Sequence, residues 1–153
     1  MKNMSNKVVE DALQQGLVDL NALALQGKQI HWNLEGEGFQ VLHEFLDTII
    51  TLARTSYDDL AERLVAIGGQ PDGRAKTIAD TTVLKPLDKG YIQVKKGYEV
   101  YEAALMAVSN KMKEFIPAVD DVDPLSSDLL IGTARELEKQ AWFLRAHLGR
   151  LGE

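Results

Sequence analysis

The sequence predicts an all-α protein, a bundle of four long helices. A long crossover containing a short helix joins the second helix to the third. Three observations carry this. Apolar residues recur at steps of three and four along four segments, the spacing that lines one face of a helix. No stretch shows the strict alternation of a strand. Gly36 with Gly38, Gly68-Gly69 with Pro71, and Pro117 punctuate the stripes.

The first stripe is Leu13, Leu17, Leu20, Ala24 and then His31, which predicts a helix from about Lys7 to Asn33. The second is Leu42, Leu46, Ile49, Ala53, Leu60, Leu64 and Ile67, with Pro71 beyond it as a stop signal. In the connection IGGQPDGRAKTIADTTVLKPLDKG, the run TIADTTVL predicts a short helix. The third stripe is Val94, Tyr98, Tyr101, Leu105, Val108, Met112 and Phe115, the seam of a packed bundle, closed by Pro117. Asp123-Pro124 reads as an N-cap followed by proline at the first helical position. The fourth stripe is Leu130, Ala134, Leu137, Ala141, Leu144 and Leu148. One long connection among four helices is the pattern of a bundle with a crossover. No internal repeat or low-complexity tract interrupts it, so residues 1–153 are expected to form a single domain.

Composition narrows the chemistry. Cysteine is absent, which excludes thiolate metal sites, thiol catalysis and disulfides. A chain of 153 residues can bury a substantial core without such staples. The formal net charge of −6 repels nucleic acid unless basic residues segregate. The lysines and arginines are scattered, and neither the opening MKNMSNK nor the closing LRAHLGRLGE is a polybasic arm. No leader opens the chain and no apolar run approaches membrane-spanning length, so a cytoplasmic location is expected.

The polar residues of the second helix carry the candidate site. His43 and Asp47 are four apart and share a face; so are Asp58 and Glu62. Asp47 and Asp58 are eleven residues apart, about three helical turns, so all four lie on one stripe. At about 1.5 Å per residue they are roughly 16 Å apart along the axis, too far to share a metal within one chain. The spacing is palindromic about residues 52 and 53. If two copies of this helix pack antiparallel about a two-fold axis there, His43 faces the partner's Glu62 and Asp47 faces the partner's Asp58. His31, at the end of the first helix, can join the cluster beside His43. Mixed imidazole and carboxylate ligands suit a divalent first-row metal such as iron, with zinc or manganese as alternatives. Plainer readings exist for each residue alone. His31 can be a hydrogen-bonded core histidine. His43 with Asp47 can be a surface pair, and Asp58-Asp59 with Arg63 a solvated face of local ion pairs.

The run HWNLEGEGFQVLHEFLD, followed by YDDLAERLVAIGGQP and the closing WFLRAHLG, resembles the Dps family of the ferritin superfamily, the DNA-binding proteins from starved cells. The similarity covers the four helices. The resemblance implies a ferritin-like fold and a dodecameric shell that oxidises Fe(II), with hydrogen peroxide or oxygen, and stores ferric mineral. It implies a ferroxidase centre at a two-fold interface, with His31, His43 and Asp47 from one chain and Asp58 and Glu62 from the other. Trp32 and Trp142 are candidate electron donors near that centre, and the common alternative for Trp142 is a core aromatic. Cavity acids that nucleate mineral in the family are matched by Glu44, whereas Thr48 and Thr51 supply no carboxylate. Asp120, Asp121, Asp123 and Asp128 resemble the acidic lining of iron-access pores, although Asp123 can be a helix cap and Asp128 can favour the positive helix end. The absence of a basic tail makes DNA binding doubtful. Two rival functions follow from the same residues: a DNA-compacting structural protein, and a hydrolase using the metal cluster to activate water.

Overall fold

The computed structural model describes residues 4–149, with side chains from Lys7 onward. The two chain ends read above for basic tails lie partly outside the described residues. The helices are α1 (Met4–Asn33), α2 (Phe39–Ala66), α3 (Ala75–Thr81), α4 (Val94–Asp120) and α5 (Pro124–Leu148). Helices α1 and α2 form one packed pair, α4 and α5 the other, and α1 against α4 joins the pairs. The predicted stripes are the core. Leu13, Leu20, Leu42, Leu46, Ile49, Leu60, Leu105, Leu130 and Leu144 are fully buried. Each such side chain contributes about 1.5–3 kcal/mol of burial. Tyr101 is also fully buried and donates its hydroxyl to the Leu23 carbonyl at 2.8 Å, tying α4 to α1. No described helix is long and apolar enough to cross a membrane.

The crossover runs along α1 and is fastened to it by side chains of that helix. The Gln14 amide brackets the backbone of Asp72, donating to its carbonyl and accepting from its N–H, both at 2.9 Å. Gln15 donates to the Thr81 carbonyl and Gln26 to the Lys85 carbonyl. The buried Asp19 carboxylate accepts from the Thr82 hydroxyl and the Val83 N–H, each at 2.9 Å. Burial pushes the Asp19 carboxyl above its ordinary range, against the lowering by those hydrogen bonds. The short helix expected at TIADTTVL is α3, beginning two residues earlier.

Two features depart from the sequence reading. A two-residue parallel ladder joins β1 (Leu34–Glu35) to β2 (Ile92–Gln93), pinning the end of the crossover beside the end of α1. A two-residue strand leaves no periodicity to detect. Pro117 does not close α4, which continues to Asp120 with the proline inside it. Proline lacks the N–H that would bond the Lys113 carbonyl. Lys113 is exposed, so water can serve that carbonyl, and the extra turn buries Val119 completely. The Asp121 N–H bonds the Pro117 carbonyl at 3.3 Å, and the Asp123 N–H bonds Val119 at 2.8 Å. Asp123 then caps α5, as expected, accepting from the Ser126 N–H with Pro124 opening the helix.

Candidate metal centre

The site sits where α1 hands over to α2. Gly36 and Gly38 take positive φ angles of 111° and 79°, a conformation costly for residues with a Cβ, and the chain reverses there. The reversal lays His31, in the last turn of α1, against His43, in the second turn of α2. Their rings stack with centroids 3.6 Å apart and 12° between planes. Phe39 stacks on His43 at 4.8 Å. His31 is buried and His43 half-buried.

The two histidines fix each other's tautomers. His31 Nδ1 lies 2.6 Å from the His43 carbonyl, and His43 Nδ1 lies 2.8 Å from the His31 carbonyl. A carbonyl only accepts, so each Nδ1 carries the proton and donates. In each neutral ring the bare nitrogen is then Nε2, the atom available to a metal. Metal-binding histidines characteristically donate their other nitrogen to a backbone carbonyl or a carboxylate.

One turn beyond His43, Asp47 approaches to 3.8 Å from His31 Nδ1. Its Oδ1 accepts a 2.5 Å bond from the Lys28 ammonium, which rises from α1. That bond, more than any other influence, holds the Asp47 carboxyl below its ordinary range. Lys28 was missed by reading the sequence. Its signal is its place three residues before His31, on the same helix face, where it meets the face of α2 that carries Asp47.

Asp58 and Glu62 are exposed, further along α2. They are not brought to the histidines within the chain. Among the described residues, no group of three or more His, Asp or Glu side chains in one chain is arranged to hold a metal. Arg63 does not pair with Asp58 or Asp59. It donates from Nε to the Ser126 hydroxyl at 2.9 Å and from its terminal nitrogen to Asp123 at 3.0 and 3.1 Å. Asp123 is therefore engaged as a cap and an ion-pair partner, whereas Asp120, Asp121 and Asp128 are exposed. Burial pushes the Asp123 carboxyl up, but the hydrogen bonds from Ser126 and Arg63 outweigh it and the net shift is downward. Glu44 is exposed and accepts from Gln40 at 2.9 Å.

Trp32 is 68% exposed and Leu25 64%, on the outer side of α1. Together with Lys28, Arg54 and Tyr57 they line a groove between α1 and α2. Trp142 is 56% exposed on α5, its ring tilted against Phe143. It is not a core aromatic, because its helix turns it outward from the Leu137–Ala141–Leu144 stripe.

A four-helix bundle with a crossover, carrying mixed imidazole and carboxylate groups on facing helices, defines the ferritin-like class. Residues 10–153 match the family model of the ferritin-like domain. A DNA protection during starvation protein of Agrobacterium fabrum is 34% identical, covering 89% of this chain and 85% of the relative. One from Bacillus anthracis is 32% identical over 95% of this chain and 99% of the relative. The solved structure of Dps92 from Deinococcus radiodurans superposes with a TM-score of 0.93 at 32% identity, covering 96% of this chain and 89% of that one. Dps from Microbacterium arborescens in its high iron form superposes with a TM-score of 0.90 at 32% identity, covering 95% of each chain. The chain belongs to the Dps family of ferritin-like proteins.

Proposed function

We propose that the protein, acting as one ferritin-like domain per chain, oxidises Fe(II) at centres shared between two subunits and stores the ferric product in a dodecameric shell. The observation that carries this reading is the reciprocal pair of Nδ1–carbonyl bonds between His31 and His43. It leaves the Nε2 lone pair of each ring available to a metal, and Asp47 lies 3.8 Å from His31 Nδ1 on the same corner. The palindrome on α2 supplies the missing carboxylates, the partner's Asp58 and the partner's Glu62. Family membership supports iron as the metal handled, and the high iron form of the Microbacterium relative supports it further.

In this reading Fe(II) is the substrate. Neutral imidazoles and carboxylates bind it, and the carboxylate charge favours the ferric product. Two Fe(II) ions give one electron each to hydrogen peroxide; with two protons the O–O bond breaks to two waters. Pairing the electrons avoids releasing hydroxyl radical. Lys28 positions Asp47 until a metal competes for the carboxylate. Trp32 lies beside Lys28 at the rim of the α1–α2 groove, where an indole can supply an electron when only one iron is present. Protection of DNA then follows from removing Fe(II) and peroxide.

Rapid mixing of Fe(II) with peroxide tests this. We expect two Fe(II) consumed per peroxide, and His43→Ala to slow oxidation at least about tenfold with the shell intact. An unchanged rate in an assembled His43→Ala shell would remove the site from the mechanism.

A further inference from the structure

The crossover does not lie flat on the bundle. Between Val83 and Gln93 it arches over the groove of α1 and α4, leaving a cavity of about 710 Å³. That is within the size range of small-molecule sites. Its α4 wall has a direction. Lys96 stands at one end, and the small side chains Ala103, Ala104 and Ala107 line the other. From Lys96 to Ala107 the helix advances roughly 16 Å. Ile30, Leu84 and Val100 complete the apolar wall.

The polar groups of the cavity favour negative charge. Three of the four amides that line it are engaged: Gln26 with the Lys85 carbonyl, Asn33 with the Gln29 carbonyl, and Gln93 with Glu35, Gln29 being the fourth. The charged residues lining it are Lys85, Asp88, Lys89 and Lys96. Lys85 and Lys89 have no carboxylate partner among the described residues, and Lys96 lies 3.9 Å from Glu99 in a solvated pair. A positive rim is therefore set in a chain of net charge −6. Lys89 falls just before Ile92, which the ladder pins to Leu34, so it belongs to the same end as Lys96. Tyr91, 80% exposed, adds a hydroxyl there.

We propose that this cavity binds an elongated amphipathic anion. Its carboxylate head meets Lys89 and Lys96, and its hydrocarbon tail lies along Val100, Ala103 and Ala107. The cavity involves none of the residues assigned to iron chemistry, so it stands or falls independently of the ferroxidase reading.

Calorimetric titration of the assembled protein with decanoate and, separately, decylammonium tests the idea. We expect one decanoate per chain, and decylammonium at least about tenfold weaker. The Lys89→Glu, Lys96→Glu double variant should reverse that preference. Ala103→Trp fills the tail end from an exposed helix position and should abolish decanoate binding, with circular dichroism and assembly unchanged. Absent binding to the wild type, equal binding of the two probes, or decanoate binding undiminished in a folded Ala103→Trp protein would each overturn the proposal. The charge-reversed pair lies on the surface and decides the matter if Ala103→Trp does not fold.

Discussion

Four side chains and two main-chain carbonyls make the chemistry of the candidate centre intelligible. His31 and His43 each present Nε2 because each Nδ1 is bonded to the other's backbone. Asp47 is held anionic chiefly by Lys28. Replacing Lys28 by Met should raise the Asp47 carboxyl toward its ordinary value of 3.8, read by carboxyl carbon NMR titration. The sign follows from the depressed value. The Lys28–Asp47 pair contributes to stability above the unfolded carboxyl's pKa and loses it as pH falls through the lower folded value. Asp47 is half exposed, so the stability change itself should be small. The sequence placed His43 and Asp47 one turn apart on α2 with His31 beside them, and the structure brings these three together, while Asp58 and Glu62 stay apart from them within the chain. Lys28 was not legible in the sequence, because its partner lies nineteen residues away on another helix and only the Gly36–Gly38 reversal brings the two together.

Among the elements, the apolar stripes of all four long helices were legible, since period and burial report the same physics. Helix ends were less so. Pro117 reads as a terminator, yet burying Val119 and leaving an exposed carbonyl to water outweigh the lost hydrogen bond. Asp123 reads as a cap, but its second role with Arg63 depends on α2 passing beside the start of α5. Asp123→Ala removes the cap and takes away the carboxylate partner of Arg63, leaving it the Ser126 hydroxyl. It should destabilise by about 1–3 kcal/mol, with Asp123→Asn losing less because the amide still caps. Denaturant unfolding measures the difference. The Asp123 contribution should fade as pH falls through its lowered folded pKa. Close helix packing gives a second test at this scale. A Cβ at Gly27 would lie 2.5 Å from the Tyr101 hydroxyl oxygen and 2.7 Å from Ile50, where α1, α2 and α4 meet. Gly27→Ala should cost about 1–3 kcal/mol despite the better helix propensity of alanine, because the overpacking exceeds that gain.

For the whole molecule, one chain leaves several large apolar side chains exposed. Leu25, Trp32 and Leu125 are each more than 60% exposed, on α1 and at the start of α5. Contiguous exposed apolar surface marks contact sites, and Leu25 and Trp32 share one groove. The two on α1 lie beside the groove next to the candidate centre. We expect a dodecamer by light scattering at micromolar concentration; a monomer there would remove both the shell and the shared site. With a net charge of −6 per chain, gel shifts at physiological salt should show no tight DNA binding. Tight binding without a bridging cation would contradict that.

The shared centre is tested most directly by mixing defects. His43→Ala and Glu62→Ala shells should each oxidise Fe(II) slowly. If residue 43 of one chain is paired with residue 62 of its partner, as proposed, one cluster of a mixed dimer collects both replacements and the other keeps both wild-type residues. Shells reassembled from equal amounts should therefore regain activity, with roughly a quarter of their clusters fully wild type if the chains mix at random. Iron oxidation followed by absorbance reads the recovery. If shells verified to contain mixed dimers oxidise Fe(II) no faster than either parent variant, the two residues do not serve one centre across the interface.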